Sequence, residues 1–246
     1  MGRKLFAVVA SVAIAGTVAF TSAPWASGAA PNSSACGTTY APVLDPSNFV
    51  AVIDNPYFPL PVGRTLVYKG VRDGQTQTDT VTVTAQKKLI LGIQTTVVDD
   101  VATHGSTVLE KTFDFYAQDK LGNVWYLGED TTAFLPNGKT DTSGSFVAGV
   151  NGAQPGIIME ANPQIPDGYR QECAAGQAED TAWIVGTTGS VSITYGKVRN
   201  VLTSLEATRV EPGSYDEKVY GPGLGIVREQ ALTGTSEFAQ LVSVTG

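Results

Sequence analysis

The chain has 246 residues, of which 42% are hydrophobic and 16% charged, with a formal net charge of −7. An acidic balance of this size argues against nucleic acid and anionic membrane surfaces as partners. One histidine and two cysteines leave little equipment for His-dependent catalysis or for zinc-type centres, which need several such ligands.

Residues 1–29 read as a secretory signal: Arg3 and Lys4 form a basic start, residues 5–20 an uncharged apolar core, and small residues follow around Ser27. The apolar core is short for a membrane span, and no later run is long enough to cross a bilayer once the signal is cleaved. The residues before Cys36 do not fit a lipidation box. Two of the 16 basic residues and none of the 23 acidic ones lie in the signal, so the exported chain carries −9. The remaining length of about 215 residues is enough for one sizeable core. In an oxidising compartment Cys36 and Cys173 are expected to pair, closing a loop worth on the order of 4–5 kcal/mol in the chain-entropy model.

Residues 30–56 read as an irregular N-terminal arm, with one helical turn expected near 48–53. Three prolines within Pro56-Tyr57-Phe58-Pro59-Leu60-Pro61 forbid a helix and hold the chain extended. The aromatic pair there is expected to plug one end of the core. From residue 64 onward the pattern has period two, with Val81 and Val83 alternating with threonines. Leu109, Phe113 and Phe115 face one way; Glu110, Thr112, Asp114 and Tyr116 face the other. Residues 114–126 read as a hairpin whose Asp119–Asn123 turn needs a residue free to adopt positive φ. Pro136-Asn137-Gly138 marks another turn. Residues 149–168 carry four glycines and three prolines and read as a long loop, after which short strands resume to residue 244. Val191-Ser192-Ile193-Thr194 echoes Val81-Thr82-Val83-Thr84, and residues 220–227 echo 116–124, which allows two pseudo-repeated halves. The expected fold is all-β and antiparallel, a curled sheet or partly closed barrel over residues 57–246.

Several motifs carry a resemblance: Asn55-Pro56-Tyr57-Phe58-Pro59-Leu60, Tyr116-Ala117-Gln118-Asp119, Gly122-Asn123-Val124-Trp125-Tyr126, Gly128-Glu129-Asp130-Thr131 and Tyr169-Arg170-Gln171-Glu172. The chain resembles, over about residues 48–232, a family of exported bacterial proteins with no assigned activity. The resemblance implies an extracytoplasmic setting and an all-β fold, and brings no functional residues with it.

The chemistry is tested residue by residue. His104 stands beside Gly105 at a hairpin tip and reads as a turn residue, and no Gly-x-Ser-x-Gly elbow is present. The glycines at 221–225 join two strands rather than opening a helix, which excludes a dinucleotide site. Carboxylates are the plentiful reactive groups. Glu129 and Glu172, with Trp125, Tyr126 and Trp183 as stacking surfaces, are the candidate pair for a carbohydrate-active enzyme, which needs two carboxyl groups across a sugar. Adjacent carboxylates such as Asp99-Asp100, Glu129-Asp130 and Glu179-Asp180 point to opposite faces of a strand, so each pair offers one group to a given site. Asp119, Asn123, Glu129 and Asp130 form a candidate calcium set, though the regular Asp-x-Asp-x-Asp-Gly loop is missing. Phe113, Phe115, Trp125, Tyr126 and Trp183 are the candidates to line a ligand cavity in the mouth of a curled sheet. The leading expectation is a secreted, non-enzymatic, cofactor-free module binding an apolar small molecule, a glycan or another envelope component. A carboxylate-dependent enzyme and a structural or adhesive domain are the competing readings.

Overall fold

A computed structural model describes residues 40–234 and 236–246. Residues 1–39, which hold the expected secretory signal and Cys36, lie outside the described residues, and with them the expected Cys36–Cys173 pairing. Cys173 itself is fully buried.

A 3-10 turn at Pro46–Asn48, capped by the Asp45 side chain, leads into β1 (Phe49–Val50). Five long strands then meander: β2 (Thr65–Arg72), β3 (Gln75–Ile90), β4 (Ile93–His104), β5 (Thr107–Asp119) and β6 (Val124–Phe134). Short β7 (Thr140–Asp141) and β8 (Phe146–Val147) edge β6, and β9 (Gln154–Met159) follows. Next come β10 (Gly168–Arg170), β11 (Glu172–Cys173) and β12 (Asp180–Gly186), then a separate hairpin of β13 (Ser190–Ile193) and β14 (Gly196–Arg199). The closing strands are β15 (Leu202–Thr208), β16 (Tyr215–Gly221), β17 (Gly225–Ala231) and β18 (Glu237–Thr245).

Thirteen strands pair in the order β10-β12-β15-β16-β17-β18-β2-β3-β4-β5-β6-β9-β11. All neighbours are antiparallel. β18 returns to pair with β2 through eight residue partners, so the sheet curls into a nearly closed barrel with one unsealed seam. Its rims belong to consecutive pieces of chain. Arg170 pairs with Thr181 on one rim and Glu172 with Pro155 on the other. The intervening Gln171 N–H donates to the Asp180 carbonyl at 2.9 Å. Gly156 makes this approach feasible, because a Cβ there would collide with the Arg170 and Gln171 backbone. The stretch 149–168 is therefore not one long loop: Pro155 and Gly156 mask a strand that the seam needs.

The Asn55–Pro61 segment closes one end of the barrel. Asn55 Oδ1 accepts from the Tyr57 and Phe58 N–H groups, while its Nδ2 donates to the Gly122 and Glu160 carbonyls. Phe58 is thereby driven inward, edge-on to Tyr116 with ring centroids 5.2 Å apart. Beneath it lies the main core, including Leu66, Val81, Val98, Tyr126, Ile184, Tyr220 and Leu241. The helical turn expected near 48–53 is instead the 3-10 turn followed by β1, which pairs with the end of β5. Of the two echoes, Tyr220 in the β16–β17 hairpin is buried in the core like Tyr116 in β5–β6, whereas Val191–Thr194 falls at the separate β13–β14 hairpin rather than in the barrel wall.

A second, smaller cluster lies on the outer face of β4–β6. It contains Val97, Phe115, Ala117 and Leu127, with Leu44 and Phe49 of the arm, Phe113, Trp125 and Val147 packed against it. The arm thus covers an apolar outer wall.

Candidate functional site

The barrel interior is two-toned. Towards the plug it is apolar, and away from it the alternate positions of the strands carry polar groups. Arg72, Gln77, Asp79, Asp100, Glu110, Thr112, Asp114, Glu129, Thr131, Asp180, Glu206 and Lys218 are all buried. Pairs of adjacent acids split as the strand geometry requires. Asp100, Glu129 and Asp180 turn inward, while Asp99 meets Lys111 and Glu179 meets Arg209 on the outside.

Specific contacts hold these groups. Tyr126 Oη donates to Asp114 at 2.7 Å and stacks on Tyr116 with ring centroids 4.9 Å apart. Burial, with Asp114 and Glu129 nearby, pushes both phenols well above the usual tyrosine range. Lys218 Nζ lies 2.7 Å from Glu206 and 3.9 Å from Glu229. Burial works against its charge, but Glu206 and Glu229 outweigh it and its pKa is raised. Burial also raises Glu229 to about 8 against the pull of Lys218. Asp79 is raised to about 7, mainly by burial, and shares a hydrogen bond with Asp100. Asp79 keeps its proton at mildly acidic pH and Glu229 up to about neutral, which is one way a low-dielectric interior accommodates carboxyl groups.

The sequence-derived candidates separate. Phe113, Phe115 and Trp125 belong to the outer cluster, Tyr126 faces the core, and Trp183 on β12 is 38% exposed. Trp183 lies against Gly168, where a Cβ would come within 2.6 Å of its indole. The five aromatics therefore do not share one cavity. The alternation expected along β5 is present, with its aromatic face outermost; on β6 the adjacent Trp125 and Tyr126, expected in one cavity, point to opposite faces. Glu129 and Glu172 do converge, both close enough to raise the Tyr116 and Tyr126 phenols. Neither exposes any surface, and of the two only Glu129 borders the cleft described below, so they do not face each other across it.

The calcium set does not converge either. Asp119 Oδ1 accepts from the Leu121 and Asn123 N–H groups, and Oδ2 from Asn123 Nδ2 and Trp125 Nε1, all at 2.9 Å. Asn123 Oδ1 accepts from the Ala161 N–H. These oxygens organise the β5–β6 turn, while Glu129 and Asp130 sit farther along β6. Among the described residues no group of three or more His, Cys, Asp or Glu side chains is arranged to hold a metal. His104 Nδ1 lies 2.6 Å from the Thr76 carbonyl at the tip of β4, as a turn residue.

Inside the apolar core, the space between Phe58, Leu66, Tyr68, Val98 and Ile226 amounts to about 30 Å³, room for one water. A shallow groove of about 420 Å³ runs between residues 50–54 and the β5–β6 turn. Its carboxylates and its amide are already used, since Asp54 and Gln118 bond to each other and Asp119 accepts four bonds. A cleft of about 290 Å³ is different. It lies between the β6–β8 ladder, the 150–153 turn and the 174–177 turn, and is lined by Lys88, Glu129, Asp130, Ser145, Phe146, Asn151 and Gln177 among others. Asp130, Asn151 and Gln177 are exposed there. Their side chains make no bond within the described structure. Sequence reading named Glu129 and Asp130 but missed Lys88, Ser145, Asn151 and Gln177. They come from three separate stretches with no common motif, and only the barrel brings them together.

No protein-family model matches the chain, and the search of curated proteins finds no match. Two solved structures are similar. One is a protein of Bacteroides fragilis provisionally described as exported, with a YmcC-like fold: 14% identity, 77% of this chain and 99% of that one covered, TM-score 0.45. The other is provisionally described as a lipoprotein, from Parabacteroides distasonis: 14% identity, 77% and 98% covered, TM-score 0.40. Read from its own strand order, the fold of this chain is an all-β, nearly closed antiparallel barrel.

Proposed function

We propose that this is an exported, non-enzymatic binding module whose ligand is a saccharide-type envelope component held in the cleft beside β8. The carrying observation is the cleft itself, about 290 Å³ with unengaged carboxylate and amide groups from Asp130, Asn151 and Gln177 at its rim. Carboxylates and amides can each engage two hydroxyls, which suits a ligand rich in hydroxyl groups. The filled core speaks against an apolar ligand inside the barrel. The enclosure of Glu172 speaks against two-carboxylate sugar hydrolysis.

The test is calorimetric titration of the exported chain with oligosaccharides prepared from bacterial envelopes. Binding that falls at least tenfold in Asp130→Asn with Gln177→Ala, at unchanged thermal midpoint, supports the reading. Failure of every envelope saccharide to bind, or binding indifferent to both substitutions, refutes it.

A further inference from the structure

We propose that the tip of the β3–β4 hairpin is a membrane-docking finger, with Leu89, Leu91 and Val150 entering the interface of a phospholipid bilayer and Lys87 meeting its phosphates. The inference is independent of the cleft's ligand.

The first observation is exposure. Leu89 is 72%, Leu91 48% and Val150 53% exposed. They are neighbours at one place: Leu91 packs on Gly149, where a Cβ would lie 2.5 Å from its Cδ2, and Gly92 abuts Pro46 of the arm. A single exposed leucine is unremarkable, but a clustered set at the end of a hairpin marks a contact surface.

The second is backbone cost. Leu91 has φ of 52° and Gly92 79°. Two-residue hairpin turns of this hand favour Asn-Gly or Asp-Gly, and a leucine in the left-handed region is disfavoured by its own Cβ. The equivalent β2–β3 turn uses Asp73-Gly74 at 49° and 80°. The same barrel therefore has the inexpensive solution at one hairpin and a strained, half-exposed leucine at the other. Strain at an exposed position points to a role outside the fold.

The third is charge. Lys87 and Lys88 immediately precede the apolar tip in a chain that is otherwise acidic. Lys88 lies over the Phe115 ring, 3.9 Å from its centroid; Lys87 is exposed and its Nζ donates to Thr96 Oγ1 at 2.9 Å, one bond that leaves two of its three donors for phosphate. Asp45 stands at the arm beside Gly92, with Lys120 close to it. Lysines flanking leucines suit a headgroup region, where the stem lies along apolar surface and the ammonium reaches phosphate. Lysine is depleted in protein–protein interfaces, and three aliphatic side chains fall far short of the area a stable one buries. A symmetric contact with a second copy would also set lysines against lysines. The net charge of −7 opposes adsorption of the barrel as a whole to an anionic membrane surface, so contact is confined to this apolar, lysine-flanked tip, and the acidic remainder fixes the orientation. Lys88 and Val150 also line the cleft, which places its mouth beside the bilayer.

The experiment is flotation of the exported chain with phosphatidylcholine–phosphatidylglycerol vesicles. Burying one leucine side chain is worth roughly tenfold in affinity or more. Leu89→Ser with Leu91→Asn is therefore expected to lower partitioning about a hundredfold, while Lys87→Gln weakens it less and flattens its salt dependence. The double variant should melt no lower than the parent, since asparagine relieves the turn. A second readout uses Leu89→Trp: its added fluorescence should be quenched by lipids brominated in the upper acyl chain. Absence of flotation by the parent, equal flotation by the double variant, or no quenching at position 89 overturns the proposal. So does concentration-dependent self-association that the double variant abolishes while neither protein floats.

Discussion

Raising the pH should destabilise this barrel, and the slope follows from two interior carboxyl groups. Asp79 and Glu229 have folded pKa values of about 7 and 8, against about 3.9 and 4.3 in an unfolded chain. Facing Asp79 are Tyr68 from β2, Asp100 from β4, Glu110 and Asp114 from β5, and Glu229 from β17. Glu229 faces Lys218, Asp216, Glu206 and Glu237. Both groups hold a proton when folded and lose it when unfolded between about pH 5 and 7, so the native state binds two more protons. Stability is thus fully present below the unfolded pKa values and lost as pH rises through the folded ones. Two groups give about −2.7 kcal/mol per pH unit in that window, an upper figure that structural relaxation reduces. Lys218, raised rather than lowered, stays charged throughout and adds no slope here. Urea denaturation followed by circular dichroism at a series of pH values measures this directly. Asp79→Asn keeps a hydrogen-bonding side chain but carries no titrating proton, so it should reduce the slope by about a third to a half, with Glu229 and the partly exposed Glu160, also raised to about 7, supplying the remainder, and it should be more stable than the parent at pH 8. A flat or rising stability across the window, or an unchanged slope in Asp79→Asn, would refute the buried, protonated pair.

Three further outcomes follow from the packing, each measured as a shift in the urea midpoint. Asn55→Ala removes four hydrogen bonds to backbone at the plug and should cost about 2–4 kcal/mol. Phe58→Ala empties the space against Tyr116 and should cost about 3–5 kcal/mol. Gly156→Ala forces a Cβ into the Arg170–Gln171 backbone and should cost about 2 kcal/mol or more; hydrogen exchange should then rise first at the Gln171 amide, which bridges the seam.

Much of the wall was legible because alternation in a strand is a local rule. Val81 and Val83, and the opposed sets along β5, were assigned to two faces by spacing alone, and the structure keeps that division. The plug was legible for a similar reason: prolines at 56, 59 and 61 leave an extended chain with two aromatics to place. β9 was not, since Pro155 and Gly156 read as breakers until their seam partners are known. The cleft was not, because Lys88, the Ser145–Asn151 stretch and Gln177 are far apart in sequence and share no pattern.

The sequence by itself determined that strands would alternate two kinds of face and where several of the hairpins would turn, at 104–105, 119–123 and 136–138. Only the tertiary structure decided which face is inside. Phe113 and Phe115 went outward because the arm supplies Leu44 and Phe49 to cover them. Glu110, Asp114 and Tyr116 went inward because curling brings partners from other strands to them, as Tyr126 of β6 donates to Asp114 of β5. No single strand can provide that, so no reading of one strand at a time could have foretold it.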